Sequence, residues 1–383
     1  MGLFFELLQV ALGTGEMLSR APSLLEWESL LAEAQRQAVV GVLASGLERL
    51  PAEQRPPKPV LLQWIGRVQM IETLNHKTTE VCRRVCAEME QDGFRVCVLK
   101  GQANHAYYPD GMGARRHCGD VDVWVQPVSG SGSRQKDIRR ILAYVEEKFG
   151  LTGLCWLHAS SEVDGITVEE HFHPSFMNAP FRNLWFQRWF ADMSSCIERK
   201  MVDGMEIPAL KVERDVVYQM NHIYRHLIDE GVGLRQVVDF FWTLRAFDEV
   251  GCSREDAMLA IRRFGMRRFA AALMWVLGEI CGMRPDQMLC APSEMDGRFL
   301  LNEISLAGNF GHFDERLSSV SGRGFYRQLS QAWRRFKRNL RFVTSYPEEV
   351  LWEPCARVWH FGWKVFCGKG FRTRGSFVAR KKV

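Results

Sequence analysis

Gly119-Asp120-Val121-Asp122-Val123-Trp124-Val125 is the stretch that decides how this chain is read. In an extended strand successive side chains point to opposite faces. Val121, Val123 and Val125 therefore share one face, while Asp120 and Asp122 share the other. The valine face is made for burial, and a pair of carboxylates one residue apart can bridge divalent cations. Oxygen ligands of this kind suit magnesium or manganese, which also bind phosphate oxygens, so the pattern points to chemistry on a nucleoside triphosphate. The bland alternative is an edge strand with a polar outer face.

The residues upstream favour the first reading. Phe94-Arg95-Val96-Cys97-Val98-Leu99 reads as a short buried strand that runs into Lys100-Gly101-Gln102 and then a stretch of helical length, Ala103 to Tyr108. A glycine at such a turn frees backbone N–H groups for an anion, with Lys100 beside it as a point charge. The next loop, Pro109 to Arg116, brings Arg115 and Arg116 next to the carboxylates, and guanidinium forks pair with phosphate in bidentate fashion. A third carboxylate follows a predicted helix over Asp137 to Lys148. In Gly165 to His173, strand alternation puts Glu169, His171 and His173 on one face and Glu170 on the other.

This arrangement resembles the DNA polymerase beta-like nucleotidyltransferase superfamily. It is most similar to the uncharacterised bacterial nucleotidyltransferase family, in Leu99-Lys100-Gly101, Arg116, Gly119-Asp120-Val121-Asp122 and Glu169-Glu170-His171. The stretch from His222 to Asp239, with Gly231 to Gln236 inside it, and Ala307-Gly308-Asn309-Phe310-Gly311 extend the likeness from roughly residue 30 to residue 365. The chain departs from the wider superfamily in two ways. Gln102 stands where a serine usually follows the glycine, and the gap from Gly101 to Asp120 is longer.

The resemblance implies an α+β fold, with a small mixed-sheet nucleotidyltransferase core flanked by N-terminal and C-terminal helical regions. It also implies transfer of a nucleoside monophosphate from a triphosphate, with ATP as the expected donor, to an acceptor hydroxyl that the sequence does not name. In that scheme Asp120, Asp122 and Glu169 are the catalytic and metal-binding residues for Mg2+ or Mn2+. Lys100, Gly101, Gln102, Arg116, Gly119 and Arg235 bind the nucleotide. Two other functions use the same residues: a catalytically weak nucleotide-binding regulatory protein, and a glycosyltransferase with a manganese-binding Asp-x-Asp. The latter calls for a longer strand-helix alternation before the motif than the single strand at 94–99 provides.

Four regions are expected: an N-terminal helical region over 1–90, a catalytic core over 91–210, a helical domain over 211–320 and a basic helical segment over 321–383. The first is broken by a proline-rich connector, Pro51 to Pro59. Helical periodicity returns at Val216 to Leu227, Leu234 to Phe247, Arg254 to Phe264 and Arg268 to Cys281. Ser129 to Ser133 reads as a flexible loop. With 383 residues, 46% of them hydrophobic, the chain can bury a sizeable core. No 18-residue apolar run suggests a membrane span, and the start of the chain reads as an amphipathic helix carrying Glu6 rather than a leader. The 11 cysteines form no Cys-x-x-Cys pair, so a cytoplasmic protein with reduced thiols is expected.

Charge is uneven along the chain. Residues 321–383 hold 15 Lys and Arg against three acids, a balance of +12, so the rest of this +5 chain is acidic. Gln331 to Arg341 should form an amphipathic helix with Trp333, Phe336 and Leu340 on one face. Such a helix suits an anionic lipid surface or a nucleic-acid backbone, or is simply a packed helix with a solvated basic face. His222 and His226, four apart on a predicted helix, and His171 with His173 have metal-ligand spacing, but core packing explains the helical pair equally well.

Overall fold

The computed structural model describes residues 2–109, 111–308 and 325–366. Asn309, Phe310 and Gly311 of the family-like stretch lie outside the described residues, as does the basic segment beyond 366. Four helices come first: α1 (Gly2–Leu12), α2 (Leu24–Arg36), α3 (Val40–Arg49) and the 34-residue α4 (Lys58–Gln91). α2 starts at a capping box, in which Ser23 Oγ accepts from the Glu26 amide while the Glu26 carboxylate accepts from the Ser23 amide. The proline-rich connector becomes a single 3-10 turn, Ala52–Gln54, followed by Pro57 at the cap of α4, where a missing N–H costs nothing.

The core follows: β1 (Phe94–Val98), β2 (Val121–Pro127), α5 (Arg134–Lys148), β3 (Leu151–Leu154), β4 (His158–Val163), β5 (Ile166–His171), α6 (Pro180–Trp189), the one-turn α7 (Met193–Cys196), β6 (Ile197–Val202) and β7 (Met205–Leu210). The seven strands form one mixed sheet in the order β3-β4-β5-β2-β1-β7-β6. β2 lies antiparallel to β1 and parallel to β5, with Asp122 directly opposite Glu169. Two hairpins turn on Asp-Gly pairs, Asp164-Gly165 and Asp203-Gly204, whose φ angles are all positive, as a two-residue type I′ turn needs.

Alternation along the strands gives the sheet two different faces. Val96, Val98, Val121, Val123, Val125 and Val168 pack beneath the second half of α4 (Val81, Val85, Met89) and α5 (Ile141, Leu142, Val145). The opposite face carries Cys97, Leu99 and Trp124 into a larger core. That core is built with α8 (Val212–Asp229), α9 (Leu234–Glu249), α10 (Arg254–Arg263), α11 (Arg267–Cys281) and α12 (Glu294–Ala307), and it also receives α1 and α3. Asp122 and Glu169 lie on this second face, where the sheet meets the helices.

The mixed α/β architecture and the helices expected from residue 134 to 281 are present, with ends shifted by a few residues. Two local expectations change. The stretch after Gly101 is a 3-10 helix, Gly101–Tyr107, and β5 stops at His171, short of His173. The basic segment is also tied into the body through α13 (Phe325–Phe342) and α14 (Pro347–Phe366). Phe342, Tyr346 and Val350 are buried in the main core, and Arg338 donates to Leu227 O at 2.6 Å. Glu349 accepts from the Asn178 and Ala179 amides at 2.6 and 3.2 Å. α13 therefore packs through Arg338 and Phe342 and turns its apolar side outward: Trp333, Phe336 and Leu340 are 57%, 51% and 55% exposed. No helix among the described residues is long and apolar enough to cross a membrane.

Candidate active site

The backbone brings the first pieces together around Gly101. Leaving β1, the Leu99 amide donates to Asp122 O, and Gly101 then takes a left-handed φ of +61°, which turns the chain over the start of β2. A second close approach fixes the loop that follows. A Cβ on Gly41 of α3 would lie 2.0 Å from Arg115 O, and Asn75 of α4 donates to Ala114 O and Arg116 O at 2.6 and 2.5 Å. The N-terminal helices thus hold the arginine loop in place before it enters the carboxylate strand.

Asp120, Asp122 and Glu169 each place a carboxylate oxygen within 4.8 Å of the other two. Lys100 Nζ lies 3.1 Å from Asp122 Oδ2, and His171 Nε2 lies 3.0 Å from Asp122 Oδ1 and 3.5 Å from Glu169 Oε2. Burial pushes the Asp122 and Glu169 carboxyls up, but the cations beside them outweigh it and hold both below the usual range. Burial likewise works against the charge on His171, yet its two carboxylate partners raise it to about 9. Lys100 is raised for the same reason, by Asp122, Asp120 and Glu169 against burial. Glu170 faces the other way, as alternation requires: it is fully buried, accepts from Ser161 Oγ at 2.5 Å, and burial pushes it up to about 8.

The carboxylates stand at the junction of two cavities. A narrow pocket of about 30 Å³ runs inward between Lys100, Gly101, Gly119, Arg116, Arg235 and Gln236. A cleft of about 750 Å³ opens outward past Glu169, His158 and His171 to Trp156, Arg225 and the α14 residues Arg357, His360 and Lys364. The expected nucleotide-binding residues divide accordingly. Lys100, Gly101, Gly119 and Arg235 line the pocket, and Arg235 also donates to His117 O at 3.2 Å. Arg116 lines it too, but its fork is occupied: Nε and Nη2 donate to the two oxygens of Asp239 at 2.6 and 2.7 Å, with both side chains 5% exposed. Gln102 is fully buried, lines neither cavity and finds no hydrogen-bond partner for its amide among the described residues.

The histidines separate as well. His222 and His226 form part of the cleft wall, their rings 4.3 Å apart, and burial holds His222 well below its usual value and His226 at about 4. Among the described residues they belong to no group of three metal donors. His173, beyond the end of β5, pairs with Gln187 at 2.8 Å and is pushed to about 3 by burial and Arg134. His158, which the sequence reading passed over, joins Glu169 and His171 in a second group of close donors. The Asp164-Gly165 turn was the available signal, since a two-residue hairpin there sets His158 opposite His171.

Residues 23–282, about two thirds of the chain, match the profile of a family described as "Uncharacterised nucleotidyltransferase". The chain belongs to this family. No curated protein matches this nucleotidyltransferase family member. A solved structure titled "Crystal structure of an antigenic nucleotidyltransferase-like protein from Paracoccidioides brasiliensis" is similar over 61% of this chain and 96% of its own, at 10% identity and a TM-score of 0.28. The family match spans β1, β2, β5, α8 and α9, the elements that carry Asp122, Glu169 and Arg235 and that Lys100 and Asp120 flank. α14, which forms the outer wall of the cleft, lies beyond it.

Proposed function

We propose that this protein transfers a nucleoside monophosphate from a nucleoside triphosphate, with ATP as the first donor to test, to an acceptor hydroxyl, releasing pyrophosphate. The observation that carries the reading is the convergence of Asp120, Asp122 and Glu169 at the mouth of a pocket lined by Lys100, Arg116 and Arg235. Three carboxylates beside an open cleft fit a hard divalent cation, Mg2+ or Mn2+, and in this site Lys100 and His171 neutralise them. When bound, such a cation supplies charge stabilisation at the reacting phosphate and lowers the pKa of the attacking hydroxyl.

The remaining work falls to the chain's own groups. Lys100 and Arg235, with the backbone at Gly101 and Gly119, meet the β and γ phosphates at the mouth of the pocket, whose ~30 Å³ interior holds little more than water, and offset the charge that builds as pyrophosphate leaves. Arg116 adds its charge from behind while Asp239 holds its fork. Glu169, ionised at neutral pH and open to the cleft, accepts the proton of the acceptor hydroxyl. The acceptor enters through the 750 Å³ cleft, where α14 limits access of water. The outward apolar side of α13, with Lys337 beside it, supports contact with anionic lipid or nucleic acid.

The test is metal-dependent consumption of labelled triphosphate, run for each of the four nucleotides with protein, RNA and small-molecule acceptors. Pyrophosphate release that disappears in Asp120→Asn and in Asp122→Asn supports the reading. Unaltered turnover in either variant rejects it. Nucleotide binding with no release under any condition would favour the regulatory alternative.

A further inference from the structure

The carboxylate centre continues into a second group of donors with a different chemistry. Across the β4–β5 hairpin His158 pairs in register with His171, and their rings stack with centroids 4.9 Å apart and planes 19° apart. Glu169 Oε2 sits between their nitrogens, 3.6 Å from His158 Nδ1 and 3.5 Å from His171 Nε2. Adjacent donors of a tetrahedral site with bonds of ~2.0 to 2.1 Å stand roughly 3.3 to 3.4 Å apart; both distances from Glu169 are within a few tenths of an ångström of that spacing, and the two histidine nitrogens lie within 4.8 Å of each other. All three border the open cleft, and Glu169 is shared with Asp120 and Asp122. His158 Nδ1 also faces Ala159 O at 3.2 Å and Ser160 Oγ at 3.4 Å, and His171 Nε2 faces Asp122 Oδ1 at 3.0 Å, so a cation bound here takes the place of a proton on each ring.

We propose that His158, Glu169 and His171 form a second cation position, beside the all-carboxylate one and bridged to it by Glu169, that takes a divalent transition-metal ion in preference to Mg2+. The preference follows from the donors. Imidazole nitrogen suits zinc, cobalt and related ions, whereas Mg2+ demands oxygen ligands in near-octahedral geometry and gives up its waters reluctantly. Three protein ligands leave a fourth position open to the cleft, the pattern of a site that also binds water or substrate. The proposal depends on the nucleotidyl-transfer reading only in sharing Glu169, and metal binding can be measured with no nucleotide present.

The experiment is titration of metal-free, full-length protein with Co2+, following the visible absorption that distinguishes four-coordinate nitrogen ligation from octahedral oxygen ligation. The expected result is one tightly bound Co2+ per chain with the four-coordinate spectrum, retained in excess Mg2+. His158→Gln should weaken Co2+ binding by at least about tenfold, since losing even an outer-sphere partner of a metal ligand costs that much. Nitrogen hyperfine coupling to bound Cu2+ in the unmodified protein gives a check that needs no variant. An octahedral spectrum, displacement of Co2+ by Mg2+, absence of nitrogen coupling, or unchanged Co2+ affinity in a folded His158→Gln protein would each overturn the proposal. Intact Co2+ binding in a protein that transfers no nucleotide would leave it standing and remove the proposed reaction instead.

Discussion

Arg116→Ala tests how the arginine loop is held, and its effect on stability can be worked from the geometry. The guanidinium makes a two-point contact with Asp239 at 2.6 and 2.7 Å, and Tyr108 Oη donates to the same carboxylate at 2.7 Å. Arg116 and Asp239 are each 5% exposed, so removing the arginine leaves a buried carboxylate with a hydroxyl as its remaining strong partner. Breaking one side of such a pair costs ~3 to 5 kcal/mol. Replacing both partners with apolar residues, as in Arg116→Met with Asp239→Leu, removes the stranded charge. What remains is the unpartnered Tyr108 hydroxyl, worth about 1 to 3 kcal/mol. Adding Tyr108→Phe should bring stability close to that of the unmodified protein. The assay is urea unfolding followed in parallel by fluorescence and circular dichroism, with coincident transitions required before midpoints are converted to free energy. A single-variant cost under about 1 kcal/mol, or a double variant as damaging as the sum of its parts, would refute the reasoning. The series also separates function from folding. If Arg116 serves chiefly as a strut, the repacked triple variant keeps most of its triphosphate affinity; if its charge helps hold phosphate, affinity falls while stability recovers.

Other expectations follow from the same geometry. Asp120→Asn and Asp122→Asn should each lower pyrophosphate release by at least roughly a thousandfold, as loss of several kcal/mol of metal-derived stabilisation implies, with far-ultraviolet circular dichroism unchanged; Asp122→Asn, which strips Lys100 and His171 of their buried partner, should also lower the unfolding midpoint. Stability should fall as pH rises, in two overlapping steps. Glu170 is raised from 4.5 to about 8, so the unfolded chain gives up its proton first and stability drops between about pH 4.5 and 8; Glu170→Gln should remove that step and add on the order of 1 to 3 kcal/mol at pH 7. His171 is raised from 6.5 to about 9, so its contribution of about 3 kcal/mol is complete below pH 6.5 and lost by about pH 9; His171→Gln should flatten that window in unfolding midpoints taken across it. Truncation after Val320 should yield a poorly soluble chain with degraded near-ultraviolet dichroism, because Phe342, Tyr346 and Val350 are part of the core. A soluble, cooperatively folding truncation would contradict that.

Much of this fold can be read from residue order because its signals are local. The Asp120-Val121-Asp122 alternation, the facing of Glu169 and Glu170 and the helices α5 and α8 to α11 depend on period alone, whereas α6 and α7, which lack that periodicity, were not expected. The β6–β7 and β4–β5 hairpins left a signal in Asp203-Gly204 and Asp164-Gly165 that the sequence reading passed over, because Lys200 and Ser161 take buried positions and break the apolar alternation of β6 and β4. Two site features were not legible, since both depend on contacts between distant segments. The Arg116 fork closes on Asp239 across 123 residues, so a guanidinium expected to face phosphate faces a carboxylate instead. Gln102 occupies the position after the turn glycine, yet the 3-10 winding from Gly101 to Tyr107 buries its side chain away from both cavities.

The placement of α14 has a consequence for the order in which the site comes into being. A ribosome that has extruded the chain through Asp239 has already delivered Lys100, the three carboxylates, Arg235 and the helices beneath them, and domains begin to fold while synthesis continues. Arg357, His360 and Lys364 emerge more than a hundred residues later, and only then does His360 stack on Trp156, with ring centroids 4.4 Å apart, to finish the outer wall. The nascent chain therefore holds every carboxylate of the site well before the segment that walls the cleft and completes the core beneath it has emerged. Because Phe342, Tyr346 and Val350 share the core that supports the carboxylate strand, synthesis to near the last described helix is what makes the site both enclosed and rigid.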